Sequence, residues 1–163
     1  MIVIEGMDNS GKSTLARKLA EHIGLVIQES EGPPRSPEEM NERVDHYQSL
    51  GNYLFVRHPC VSEAIYGPRI RGINCITPGR TMLFYEAQPL LIYCDAGNRG
   101  MIGHERLAHD TDEHMAGLER DYAEILTLYR LWAAEHAHLI YRIGDDMDEF
   151  CATAAFQFHY RAS

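Results

Sequence analysis

Gly6, Gly11, Lys12 and Ser13 stand in the stretch "IEGMDNSGKSTLARKL" with the spacing Gly-x-x-x-x-Gly-Lys-Ser. This is the pattern of a P-loop. The residue types follow from phosphate chemistry. Glycine at either end lets the backbone N–H groups of Met7, Asp8, Asn9, Ser10 and Gly11 wrap around phosphate oxygens, and a helix starting there adds favourable partial charge. Lys12 reaches the β- and γ-phosphates, the Ser13 hydroxyl is a ligand for Mg²⁺, and Thr14 completes the run. The pair of ligands implied is ATP and Mg²⁺. Composition sharpens the point: of the 15 basic residues only Lys12 and Lys18 are lysines. A chain that writes nearly every cation as Arg keeps Lys where a compact point charge is needed.

A P-loop works only between a strand and a helix. Five apolar, β-branched-rich runs read as strands: Ile2 to Ile4, Leu25 to Ile27, Tyr53 to Val56, Leu90 to Cys94 and Leu139 to Ile143. Their continuous apolar character suits strands buried on both faces. Between them lie helical patterns. Lys12 to Ile23 carries Leu15, Leu19 and Ile23 on one stripe and stops at Gly24. Ser36-Pro37-Glu38-Glu39 is a capping box that opens a helix to about Leu50. Thr77-Pro78 starts a short helix, and a final one covers Met147 to Phe158. The longest runs from about Asp112 to His136, with Met115, Leu118, Tyr122, Ile125, Tyr129 and Trp132 as its core stripe and Glu119, Asp121 and Glu124 on a solvated face. Strands alternating with helices predict one α/β domain over residues 1–163: a three-layer P-loop kinase fold with a five-stranded parallel sheet flanked by helices.

The bulk numbers exclude several classes. At 163 residues the chain is one domain, with 45% hydrophobic and 24% charged residues. No apolar run approaches the roughly 20 residues of a membrane span. No cationic segment precedes an apolar one at the N-terminus, so a cytoplasmic location is expected. Cys60, Cys75, Cys94 and Cys151 form no Cys-x-x-Cys pair and are expected as reduced core thiols. His104, His109 and His114 are spaced by five, about 500° around a helix, so they diverge rather than converge on a metal. The net charge of −9 is uneven: residues 1–56 carry −4, 57–106 carry +2 and 107–163 carry −7. A broad polyanion-coating surface is excluded, while a local anion site in the middle third is not.

The motif alone does not name the reaction. No Asn-Lys-x-Asp segment for reading guanine is present, and the third strand ends "FVRHP", with Arg57 where an ATPase would carry Asp. Asp95, at the end of the fourth strand, reads either as a Mg²⁺-shell residue or as a loop cap.

At this point "IEGMDNSGKST" resembles the P-loop of thymidylate kinases, which carries an acid at the position of Asp8. "RHPCVSEAIYGPRIRG" resembles that family's Asp-Arg-x-x-x-Ser-x-x-Ala-Tyr segment through Arg57, Ser62 and Tyr66, with one residue more between Arg and Ser. "DTDEHMAGLERDYAEILTLY" is similar to the helix that follows the lid in the same superfamily. The resemblance implies that Arg57 grips the acceptor nucleotide and that Asp8 orients the acceptor or its Mg²⁺-bound phosphate. The departures are informative. Val56 stands where the family has Asp. The Arg-Glu-Pro-Gly-Gly segment after strand two is replaced by "ESEGPPRSP", with Glu29, Glu31 and Arg35 as acceptor-side groups. The lid, Asp95 to His104, is short, with Arg99 inside it and Arg106 just beyond.

The shortened chain and the "HPxxSExxYGPxxRG" pattern resemble the phage branch of this superfamily. That branch phosphorylates the hydroxymethyl group of 5-hydroxymethyluracil within DNA. The resemblance therefore implies a thymine-type acceptor, reached in an uncovered cleft as an unstacked base. Arg69, Arg71 and Arg80 are then either contacts to DNA phosphates or ion-paired surface arginines. A hydroxymethyl acceptor calls for a carboxylate to take the alcohol proton, with Asp8 the first candidate and Glu63 the second. Phosphorylation of free dTMP and a non-catalytic ATP-binding module are the alternatives.

Overall fold

The computed structural model describes residues 1–97 and 112–161. Five strands, β1 (Ile2–Glu5), β2 (Val26–Gln28), β3 (Tyr53–Val56), β4 (Leu90–Asp95) and β5 (Leu139–Arg142), form one sheet in the order β2-β3-β1-β4-β5. All four pairings are parallel. Six helices cover it: α1 (Lys12–Ile23), α2 (Pro37–Ser49), α3 (Pro59–Tyr66), α4 (Pro78–Glu86), α5 (Asp112–His136) and α6 (Met147–Arg161). This is the three-layer architecture of P-loop kinases.

Alternation along the central strand builds the layers. Ile2 and Ile4 face α1 and α6, where they pack with Leu15, Leu19, Cys151 and Ala154. Val3 faces the opposite layer, with Val44, Tyr47, Ile65, Phe84, Ile125 and Tyr129. Both outer strands depart from the expectation of double burial. Val26 on β2 is 56% exposed and Ile140 on β5 is 38% exposed, because an edge strand has helix cover on only part of its surface. All four cysteines are free and buried.

Proline sets three of the helix starts. Pro37, Pro59 and Pro78 each open a helix, where a missing N–H costs nothing and φ is already helical. Ser36 caps α2 by accepting from the Glu39 amide at 3.2 Å, while the Glu39 carboxylate reaches the Arg35 amide at 3.0 Å instead of closing the reciprocal half of the box. α3 is an element the sequence reading did not assign. It continues into a π-helical turn, Gly67–Arg71. Gly67 is required by space: a Cβ there would lie 2.5 Å from both Glu63 Oε1 and the Ile73 carbonyl.

Candidate functional site

The P-loop leaves the carboxyl end of β1, in the middle of the sheet, where parallel α/β folds place their ligands. Gly6 has φ +143, and a Cβ there would run into the Cys94 carbonyl of β4, so only glycine brings the loop this close to the sheet. Lys12 opens α1 and is buried, its Nζ donating to the Met7 carbonyl and to Ser10 Oγ at 3.3 Å. Burial and the neighbouring Arg57 push its ammonium down to about 8, against the opposing pull of Asp8.

A cavity of about 430 Å³ joins this loop to a second wall. Asp8, Asn9, Ser10, Gly11, Lys12, Ser13 and Thr14 line one side. Gly6 and Met7 do not line it: Gly6 packs against β4, and Met7 is fully buried in the core. The facing wall comes from three places: Glu29 to Pro34 after β2, Met40, Arg43 and Tyr47 on α2, and Arg57, Pro59, Ser62, Glu63, Tyr66 and Arg71 from the end of β3 through α3 and its π turn.

Arg57 and Asp8 meet where the two walls join. Arg57 Nη2 lies 2.7 Å from Asp8 Oδ1 and 3.1 Å from the Tyr66 hydroxyl, which itself donates to Asp8 Oδ2 at 2.9 Å. The guanidinium also sits over the Tyr66 ring, 5.0 Å from its centroid. Burial alone would raise the Asp8 carboxyl. The charges of Arg57 and Lys12 and the bonds from Arg57 and Tyr66 outweigh it and hold Asp8 well below the usual carboxylate range. Arg57 is correspondingly raised well above its ordinary value despite burial. Its backbone is left-handed, φ +66, an unusual conformation for a side chain of this size.

Other carboxylates and cations of this wall are also committed. Glu63 is buried, ion-paired with Arg71, and accepts the Cys75 amide at 3.1 Å. Glu31 accepts from the Tyr47 hydroxyl at 3.0 Å and lies 3.5 Å from Arg43. Arg43 is tied to Glu39 at 2.8 Å and to the Gly32 carbonyl at 2.7 Å. Ser62 Oγ donates to the His58 carbonyl at 3.2 Å. The Glu29 carboxylate has no partner among the described residues.

Several sequence expectations are revised here. Arg35 does not line the cavity; its side chain is exposed and pairs with Glu39 at 2.9 Å. Asp95 does not line it either. It accepts from the Gly97 amide at 2.9 Å and from Arg130 at 3.0 Å, the arrangement of a loop cap. Arg69, Arg71 and Arg80 are paired with Glu124, Glu63 and Asp45, which makes them ion-paired arginines rather than free phosphate contacts. Glu124 is accordingly ion-paired rather than simply solvated. Arg99, Arg106, His104 and His109 lie outside the described residues, as does the side chain of His114. Among the described residues no group of three His, Cys, Asp or Glu side chains could hold a metal ion. No helix there is long and apolar enough to cross a membrane.

Arg43, Tyr47 and Glu5 went unrecognised in the sequence. Arg43 and Tyr47 carry a helical-spacing signal, since Met40, Val44 and Tyr47 form the buried stripe that turns α2 toward the site. Glu5 is the second-neighbour continuation of Val3 on the inward face of β1, a charge where that alternation calls for an apolar residue.

No protein-family model and no curated protein matches the chain. Solved structures do. The YorR protein from Bacillus subtilis, crystallised in complex with phosphorylated GDP, has a TM-score of 0.73 at 22% identity, over 99% of this chain and 96% of that one. Deoxyadenosine kinase from M. mycoides with bound dATP gives 0.57 at 13% identity, covering 97% and 98%. A second structure of that kinase, with dCMP and dCDP, gives 0.52 at 15%, covering 99% and 97%. The likeness is one of fold.

Proposed function

We propose that this chain is an ATP-dependent phosphotransferase that carries the γ-phosphoryl group to an alcohol of a nucleoside-type acceptor. The observation that carries the reading is the single cavity that runs from the P-loop to the Arg57–Asp8–Tyr66 wall, so donor and acceptor share one space. Proteins of the same fold have been solved with nucleotides: phosphorylated GDP in YorR, and dATP, dCMP and dCDP in the deoxyadenosine kinase.

The charge pattern favours an alcohol over a phosphate monoester as acceptor. Arg43, Arg57 and Arg71 each already face a carboxylate, which leaves no free guanidinium clamp for a second phosphate among the described residues that line the cavity. In this mechanism Lys12 and the P-loop amides hold the β- and γ-phosphates. Mg²⁺ bound by Ser13, by phosphate oxygens and by water would neutralise charge on the transferring group, a set that suits an ion keeping several waters and needing few protein ligands. The acceptor oxygen attacks the γ-phosphorus in line, the bond to the β-phosphate oxygen breaks, and ADP leaves. Asp8 is a poor proton acceptor because Arg57 and Tyr66 hold its carboxyl in the ionised form. Glu63 is neutralised by Arg71. Glu29, the uncommitted carboxylate of the wall, takes the alcohol proton.

The finer form of this proposal makes the acceptor the hydroxymethyl group of 5-hydroxymethyluracil in DNA. It rests on the resemblance carried by "HPCVSEAIYGP", since Arg69, Arg71 and Arg80 are engaged elsewhere. Labelled ATP with Mg²⁺ should be offered to DNA containing 5-hydroxymethyluracil, to matched thymine DNA, to the free nucleosides and to dTMP. Label on the hydroxymethylated DNA and not on thymine DNA is the expected result. Label on free nucleosides alone would keep the alcohol reading and remove DNA. Label on dTMP alone would replace the alcohol with a phosphate acceptor, and no transfer at all would leave an ATP-binding module.

A further inference from the structure

Glu5 is fully buried at the end of β1, one residue before the P-loop, and has no part in the mechanism above. Its two carboxylate oxygens serve two different elements. Oε1 accepts the His58 amide at 2.6 Å, and Oε2 accepts the Tyr129 hydroxyl from α5 at 3.1 Å. One residue earlier on the same strand, the Ile4 carbonyl accepts the Arg57 amide at 2.9 Å. Consecutive residues of β1 therefore grip both amides of the turn that holds Arg57 in its left-handed conformation. Tyr129 in turn meets Tyr66 edge to face, with ring centroids 5.9 Å apart, and Tyr66 donates to Asp8.

We propose that Glu5 is a positioning residue: its buried carboxyl group fixes the Arg57–His58 turn and docks α5 behind it, so that Arg57, Tyr66 and Asp8 keep their mutual geometry during transfer. The inference rests on the phosphotransferase reading for its kinetic consequence, but not for its structural one. A hydrophobic residue would fill the volume at lower desolvation cost. It would leave the His58 amide and the Tyr129 hydroxyl without a buried acceptor.

The group's protonation gives a readout that packing alone would not. Burial pushes the Glu5 carboxyl up to about 7, against the His58 amide, the charges of Arg57 and Lys12 and the Tyr129 hydroxyl. The groups facing it are Lys12 of α1, Arg57 and His58 of the turn, Cys60 and Tyr66 of α3, Tyr85 of α4, Tyr93 and Cys94 of β4, and Tyr129 of α5. The phenols and thiols are raised, and the imidazole of His58 is pushed down to about 3 by burial. Glu5, at about 7, and Lys12, at about 8, are then the groups among them that change charge near neutrality, and Glu5 is the one that does so on the acid side. The ionised form makes the stronger, charge-assisted bonds.

The test compares Glu5→Ala, Glu5→Gln and Tyr129→Phe. Glu5→Ala should lower kcat at least about 30-fold, leave ATP affinity by calorimetry within about twofold, and speed amide exchange at His58 at least tenfold. Glu5→Gln keeps an acceptor toward His58, so it should recover kcat to within about fivefold of wild type. Its rate should not fall between pH 7 and pH 6 as the wild type's does, and should sit at the value to which the wild type falls at pH 6. Tyr129→Phe should lower kcat less than Glu5→Ala and retain the pH dependence. The idea is overturned if Glu5→Ala keeps both kcat and His58 protection, or if Glu5→Gln restores thermal stability without restoring the rate. If Glu5→Ala does not fold, the pH profile of Glu5→Gln decides. If the wild type transfers phosphate to no acceptor, the phosphotransferase reading falls while exchange at His58 still judges the grip.

Discussion

The Arg57–Asp8 pair offers a quantitative test of the site by a double-mutant cycle. The two side chains are 18% and 16% exposed and 2.7 Å apart, so solvent screens them only partly. Charges about 4 Å apart at an effective dielectric of 20 attract by about 4 kcal/mol. Removing one partner of a buried pair costs about 3–5 kcal/mol, because the other charge is stranded. Lys12 softens that for Asp8, since it remains near when Arg57 is gone. Arg57→Ala and Asp8→Asn should therefore each destabilise by about 3 kcal/mol. Alanine keeps a Cβ at φ +66, so the backbone strain is common to both arms of the cycle. The double variant should cost about 3–4 kcal/mol rather than 6, a coupling of about 2–3 kcal/mol. In a chain of 163 residues each single variant should lose about 6–12 °C in Tm.

The pH dependence has a definite sign. Asp8 is depressed in the folded state below its ordinary 3.8, so as pH falls the unfolded chain takes up this proton first. The stability from the pair is fully present above about pH 5 and is lost as pH drops below 4. Asp8→Asn should remove that part of the acid loss. Urea denaturation of the four proteins at pH 7 and at about pH 2.5, well below the ordinary Asp value, measures both quantities. Effects additive to within 0.5 kcal/mol at pH 7 would refute the coupling, and with it the claim that Arg57 holds Asp8 ionised.

Two further outcomes follow from the site's geometry. Lys12→Met removes a buried ammonium that burial lowers from 10.5 to about 8, so Tm without nucleotide at pH 7 should be unchanged or higher. The stability the wild type gains between pH 8 and 10.5 should be absent, the Tm increase on adding ATP lost, and transfer reduced at least about 100-fold. Differential scanning calorimetry with and without ATP checks the first three, and a labelled-phosphate assay the fourth. Gly67→Ala has an unobjectionable φ of −54 but drives its Cβ against Glu63 Oε1 and the Ile73 carbonyl; it should cost about 1–3 kcal/mol by urea titration. Gly51→Ala, with open space around it, should stay within about 0.5 kcal/mol.

The parts legible in the sequence are those encoded by neighbours along the chain. The P-loop is continuous, so its spacing alone fixes its conformation, and the continuous apolar runs marked all five strands to within a residue or two at either end. The facing wall is different, because it is assembled from separate segments, residues 29–34, 40–47 and 57–71. Arg71 finds Glu63 through a π-helical turn that Gly67 and Pro68 permit, and no local periodicity announces such a turn. Arg80 reaches back to Asp45, and Arg69 forward to Glu124. A cation's partner is decided by tertiary packing, so a count of basic residues in the middle third overstated the free positive charge there. Arg35 and Arg43 lie on either side of Glu39, at positions i−4 and i+4, and both pair with it; only the fold decides which of them turns toward the cavity.

Val56 explains why that neutralisation matters. At the end of β3 it is buried against the α1 layer with Ile2 and Ile4, so this neighbour of β1, unlike β4 with Asp95, ends without a carboxylate. The P-loop's positive end is then offset by Asp8, and Asp8 is balanced by Arg57. Along the opposite wall each arginine that reaches the cavity is matched by its own acid, Glu31 and Glu39 for Arg43 and Glu63 for Arg71. The positive potential is thereby concentrated at Lys12 and the amides at the start of α1, where a polyphosphate would accumulate charge. The paired wall adds rigidity without net charge. On the proposed reading, an acceptor entering beside it would be selected by shape and by hydrogen bonds to groups already held in place, and among the described arginines of the cavity a second phosphate would meet only ones that must first leave a partner.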